Sequence, residues 1–303
     1  MTFNQLLILA LITLAAPALA TDTQTTVSVL HHSHGNQHAW YADPTLLLAD
    51  GHTTRRIPLY HEYGYRYSGL GKDVNYMQFH GPDSLMFISR IGFIRKGVVD
   101  LNPVTGIPNR RYSGYRVSIS PDGRYVATTE YGQIESVLVN GAPAYTLPHH
   151  PITTGTLQPE YPGEATSGGI PIYPNAELES QGWLILTDLV WTAPNVLEFV
   201  SGYVKADSAL DAMAKAPEEF TRYAIRVELT EISDTIGPVP SSSSKATTGT
   251  IAISTTVTPL DADTDLNKYT LGQQTEPQEI SLNYLQALIK SAQTTTSTYH
   301  LHD

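Results

Sequence analysis

Hydrophobic and polar positions alternate in short runs along most of this chain, and the runs recur. Three stretches align on one another: FHGPDSLMFIS (79–89), SISPDGRYVAT (118–128) and WTAPNVLEFVS (191–201). In each, a Pro is followed by Asp or Asn, then by apolar residues ending at Ser or Thr. Proline presets φ and Asp or Asn favours a turn, so each stretch begins with a tight corner. The alternation after it predicts a half-buried strand. Pro82, Pro121 and Pro194 stand 39 and 73 residues apart, the second gap being close to two units of about 37.

A further strand is predicted after each corner: GVVDLNPVTG (97–106), IESVLVNG (134–141) and TRYAIRVELTE (221–231). The first two end on Thr-Gly and Asn-Gly, which are turn signals. An earlier echo extends the pattern, because LLLADGHTTRRIPLYH (46–61) parallels VLVNGAPAYTLPHH (137–150), with Asp50-Gly51 opposite Asn140-Gly141. Strand and turn alternating at this period are the mark of a propeller blade. The fold predicted is therefore all-β and β-propeller-like, with about four or five degenerate blades between residues 21 and 236.

Two segments interrupt the repeat. Residues 148–176 are dense in Pro and Gly and predict a long loop, whereas ADSALDAMAKAPEEF (206–220) has the composition of a short helix ended by Pro217. Residues 237–249 (GPVPSSSSKATTG) read as a flexible linker. A C-terminal extension follows at 250–303, with a Thr-rich strand at 250–258 and a helix near 277–292. Ile280, Tyr284, Leu285, Leu288 and Ile289 would share one face of that helix.

The stretch SISPDGRYVATTEYGQIESVLVNG (118–141) resembles the WD-repeat-like blade of TolB-type β-propellers, whose hallmark is Ser-Pro-Asp-Gly leading into a strand. VVDLNPVTG (98–106) is similar to that family's following strand. The copies at Pro82 and Pro194 lack the Gly after Asp or Asn, and the resemblance covers roughly residues 75–230. It implies a fold and not an activity, since propellers serve as scaffolds, sugar binders and enzyme domains alike.

Composition narrows the setting. The chain opens with an apolar run from Leu6 to Leu14 and a small-x-small pattern at Ala18–Ala20, which reads as a cleaved signal peptide over residues 1–20. There is no cysteine, and no asparagine begins a glycosylation sequon. Together these point to a bacterial periplasmic or extracellular protein. No later stretch is long and apolar enough to span a membrane. The net charge of −11, without a Lys/Arg cluster, argues against nucleic acid as a partner.

Chemistry is sparse by comparison. LHHSHGNQHAW (30–40) holds four histidines, with His32 and His34 on one strand face and His31 on the other, but it matches no catalytic metal motif. Asp261-x-Asp263-x-Asp265 opens like a calcium loop, yet Leu266 stands where Gly is required and Gly272 where Glu is required. No G-x-S-x-G elbow or phosphate loop is present, and Ser242-x-x-Lys245 lies in the linker. No catalytic residue, metal or cofactor is assigned. The binding candidates are Tyr63, Tyr65 and Tyr67, which would form a ladder on one strand face, and then Arg110, Arg111, Tyr112 and Tyr115 of RRYSGY. The expected function is a non-catalytic scaffold for a protein or glycan partner. The alternative is an envelope-polymer hydrolase or lyase, its site drawn from several blades and the 148–176 loop.

Overall fold

In a computed structural model of the chain, Pro82, Pro121 and Pro194 occupy equivalent places. Each lies in the turn joining the first strand of an antiparallel sheet to the second. The structure describes residues 25–42, 45–58, 74–91, 95–106, 108–129, 136–146, 154–156, 182–207, 209–231, 250–270 and 272–294. The segments predicted as signal peptide and linker fall outside these residues, as does all of the 148–176 loop except the strand 154–156.

Four sheets follow one another along the chain. The first is a meander of β1 (Thr26–His34), β2 (Gln37–Ala42), β3 (Thr45–Ala49) and β4 (Thr54–Pro58). The second repeats it with β5 (Tyr76–Phe79), β6 (Leu85–Ile91), β7 (Arg95–Leu101) and β8 (Pro108–Gly114). The third comprises β9 (Val117–Ile119), β10 (Val126–Thr129), β11 (Ser136–Val139) and β12 (Ala142–Thr146).

In the fourth sheet, β13 (Thr154–Thr156) is the outer strand. The broken first strand, β14 (Trp183–Ile185) with β15 (Val190–Ala193), pairs along β16 (Val196–Tyr203), and β17 (Thr221–Glu231) and β18 (Thr250–Leu260) complete the sheet. The predicted echo is also visible in space. Asp50-Gly51 and Asn140-Gly141 both turn the third strand of a sheet into the fourth, as Thr105-Gly106 does in the second. Asn140 adopts φ 45° there, a left-handed turn conformation that Asn tolerates.

Strands that read as unbroken apolar runs are covered on both faces. Leu46 and Leu48 of β3 pack with Phe79, Leu85 and Phe87 of the second sheet, while Leu47 faces the other way. Met86 and Ile88 of β6 meet Ile119 and Val126 of the third sheet. Val137, Val139 and Tyr145 then pack against Leu197, Phe199 and Ile225 of the fourth. Among the described residues these clusters join each sheet to the next, and none joins the fourth back to the first.

Helices cover the two outer faces. Helix α1 (Ala209–Met213), in the segment predicted as helical, sets Ala212 against Val204, Phe220, Leu184 and Leu186 of the fourth sheet. Helix α2 (Leu282–Ser291) sets Leu285 and Leu288 against Val29, Trp40 and Leu47 of the first. Stacked units that bury both faces need such terminal caps. No helix among the described residues is long and apolar enough to cross a membrane.

The C-terminal region departs from the expected separate extension. Its Thr/Ile/Val alternation pairs β18 with β17 over ten residue pairs, from Arg222↔Leu260 to Glu231↔Ile251, so it belongs to the fourth sheet. The chain then runs back across all four first strands. Tyr269 O accepts from Asp188 N at 3.0 Å, and Gln273 Oε1 accepts from Ile119 N at 2.7 Å. Thr275 Oγ1 accepts from Met77 N at 2.9 Å and donates to Met77 O at 3.0 Å. Strand β19 (Gln278–Ser281) finally pairs with β1.

The predicted helix therefore begins later than expected. Residues 278–281 are strand, and the Ser281 hydroxyl accepts from Tyr284 N at 3.1 Å, fixing the N-cap. That phase buries Leu285 and leaves Tyr284 48% and Ile289 36% exposed, so only part of the predicted apolar face is covered. Strand β20 (Gln293–Thr294) then pairs parallel with β4, and both edges of the first meander are closed.

Candidate functional site

Antiparallel meanders put the turns between strands one and two, and between three and four, at the same end of every sheet. All six described histidines (His31, His32, His34, His38, His52 and His80) lie in or beside these turns. The predicted alternation in the N-terminal cluster is present. His32 and His34 point toward Phe79, with ring centroids at 5.9 and 6.4 Å. His31 lies on the other face with His38 and Trp40, both within 5.6 Å between centroids and nearly parallel to it. Burial, more than neighbouring histidine charge, lowers the pKa of His31 and His32. His32 Nδ1 accepts from Phe79 N at 3.2 Å, so the neutral ring is part of the sheet junction.

The second sheet carries a denser polar network. Tyr76 Oη donates to Gln78 Oε1 at 3.0 Å and also lies 3.0 Å from His80 Nε2. Burial raises the Tyr76 pKa and lowers that of His80, the latter against the opposing pull of Asp100 and Asp122. Asp100 is only 3% exposed and accepts from Ser84 Oγ at 2.7 Å and from Arg110 Nε at 2.9 Å. Arg110 also donates to the carbonyls of Gly123 at 2.7 Å and Arg124 at 3.0 Å, both in the Pro121 turn of the third sheet. Arg55 of the first sheet does the same to Pro103 and Val104 of the second. Arg124, in turn, pairs with Glu231 of the fourth. A chain of arginine clasps thus ties each sheet to the next at this rim.

The predicted binding residues separate accordingly. Arg110 is one of these clasps. Tyr112 is buried between the second and third sheets, and Arg111 is half-buried on the opposite face of β8. Tyr115 lies in the link to the third sheet, at the other end, with the Arg116 guanidinium 5.2 Å from its ring centre. The four do not form one surface. Tyr63, Tyr65 and Tyr67 lie outside the described residues. In the acidic turn, Asp265 Oδ1 accepts from Asn267 N at 2.9 Å, and Arg222 donates to the carbonyls of Asp261 and Ala262. Among the described residues no group of three or more His, Asp or Glu is placed to hold a metal ion.

A different cluster stands out on the fourth sheet, at the end away from the tight turns. The pairing Trp183↔Tyr203, with Tyr223 on the next strand, places three aromatic residues on one face. Trp183 lies 5.3 Å from Tyr203 and 5.6 Å from Tyr223, with rings inclined at 46° and 35°. Higher on the same face, Phe199 is buried edge-on against Tyr145 at 5.2 Å. Toward the lower end the cover recedes, and Tyr203 is 40% exposed, with Pro259 and Asp261 exposed nearby on β18 and beyond it. Sequence spacing does not reveal this patch, because its members are 20 residues apart and meet only through strand register.

No protein-family model matches the chain, and a comparison with curated proteins finds no match.

Proposed function

We propose that the chain is an exported, propeller-like scaffold that binds a glycan or protein partner through the Trp183–Tyr203–Tyr223 face. The observation that carries this reading is the gradient along that face, from the buried Tyr145–Phe199 contact to exposed Tyr203. Aromatic rings that are apolar in body and polar at the tip suit sugar rings and peptide side chains. Exposed Asp261 beside them offers an acceptor for hydroxyl groups. The equivalent placing of Pro82, Pro121 and Pro194 supports reading the four meanders as blades of the TolB-like kind. The opening apolar run supports a cleaved signal and a periplasmic or extracellular location.

A glycan array and a pull-down from periplasmic extract test this reading. Binding that falls at least tenfold in Trp183→Ala and Tyr203→Ala supports it, and clean negatives in both assays remove it.

A hydrolase or lyase is the second reading, favoured by the meeting of His80, Tyr76, Asp100 and Arg110. Against it, Asp100 is buried and paired, and Arg110 is bonded to Asp100 and to two carbonyls. Release of reducing ends from envelope polymer by the purified chain, lost in His80→Gln, would establish it.

A further inference from the structure

On the outer face of the first sheet, where helix α2 leaves the upper end open, two imidazoles meet edge to edge. His31 Nε2 and His38 Nδ1 are 3.3 Å apart, with ring planes inclined by only 6° and centroids 5.6 Å apart. They come from neighbouring strands on either side of the Gly35-Asn36 turn: His31 pairs with Trp40, and His38 with Ser33. Both rings are half-exposed and lie nearly parallel to the largely buried Trp40 indole, at 5.2 and 5.4 Å. The side chain of Gln278, on β19, hydrogen-bonds to His31.

We propose that this pair is a zinc-class metal site, with His31 Nε2 and His38 Nδ1 as its two protein ligands and water completing the shell. The separation is the first reason. Two Zn–N bonds of about 2.0–2.1 Å at a tetrahedral angle hold their nitrogens about 3.3 Å apart, as here. The β-ladder fixes both Cα positions, so the pair needs no backbone movement. Each ring has only to turn about its Cβ–Cγ bond to bring its lone pair onto the ion, and such torsions are broad. Imidazole suits zinc, copper and nickel, and an acidic chain favours a cation.

Gln278 adds a polar side chain in contact with the His31 ring, and polar neighbours of that kind orient ligating histidines. The ion takes the place of the proton shared between the two nitrogens, and that proton moves to the other nitrogen of its ring. The remaining described histidines do not duplicate the arrangement: His32 is bonded to Phe79 N, and His80 meets Tyr76.

The test is zinc titration of the purified full chain by calorimetry at pH 7.5, with cobalt(II) as a spectroscopic probe of geometry. The expected result is a zinc site weakened tenfold or more in His31→Ala and again in His38→Ala, while His52→Ala leaves it unchanged. Cobalt should give the visible absorption of a tetrahedral ion, lost in the same two variants. His31→Gln, checked for an unchanged melting curve, separates ligand loss from misfolding. Absence of zinc binding, or zinc binding of equal strength in both alanine variants, overturns the proposal.

Discussion

The tight-turn rim and the aromatic face of the fourth sheet both gather side chains capable of recognition, yet they differ in how those side chains are occupied. At the rim, Arg110 and Asp100 are bonded to each other, Arg110 and His32 to backbone of the next sheet, and Tyr76 to Gln78 and His80. On the aromatic face, Trp183, Tyr203 and Tyr223 lean together, and exposure grows toward Tyr203. Charged and polar groups placed between sheets serve the fold, because leaving them unpaired in a buried junction costs too much. A ring at the end of a covered face carries no such penalty, and Tyr203 keeps 40% of its surface exposed.

The contrast can be broken first at Asp100. Removing its carboxylate in Asp100→Ala leaves Arg110 partly buried without its partner and should cost about 3–5 kcal/mol, measured by urea unfolding. A loss within experimental error would show that the clasp is ornamental. Gly123→Ala comes next. Gly123 has φ +72°, and an added Cβ would lie 2.5 Å from His80 Cβ, so a loss of about 1–3 kcal/mol is expected from strain alone. Smaller again is Thr275→Val, which keeps the shape but leaves Met77 N–H and C=O without their partner. About 1–2 kcal/mol should disappear from the unfolding free energy.

Acid provides a fourth test of the rim. Burial holds the pKa values of His31, His32 and His80 below the unfolded value of 6.5. The unfolded chain therefore binds protons first as pH falls, and stability decreases from about pH 6.5 downward until the folded-state values are passed. Melting temperature should fall between pH 7.5 and 5, and His80→Gln should flatten the slope. At the bottom of the scale, Tyr203→Ala should cost about 0.5–1.5 kcal/mol, the worth of an aromatic pair at a partly exposed position. Any glycan binding should nevertheless drop sharply, which would separate the two regions cleanly.

Much of this architecture was legible in local chemistry. Corners at Pro82, Pro121 and Pro194, and the Asp50-Gly51 and Asn140-Gly141 turns, depend on residues whose φ preferences act within four positions. Strand 221–231 was visible from alternation alone and is found with the same bounds. The site was far less legible. Arg110 and Tyr112 look like surface recognition residues in RRYSGY, because nothing local shows that Asp100 lies opposite or that a third sheet covers them. The Trp183 cluster depends on the pairing of β14, β16 and β17, and the aromatic residues carry no periodic signal. The helix near the C-terminus began late for the same reason: pairing of residues 278–281 with β1 outweighs a helical period that the sequence allows.

The reversed path of residues 267–281 has a consequence for how the molecule comes together. The four meanders can pile up in the order of synthesis, each finding its neighbour within a few tens of residues. The last fastening cannot form until residue 281 has been released, since it ties Asp188, Ile119, Met77 and Val29 from behind. A product stopped before residue 260 would keep its interior but present raw strand margins at β1 and β4, open to pairing with other copies. Late truncation should therefore show itself as aggregation before it shows itself as loss of secondary structure.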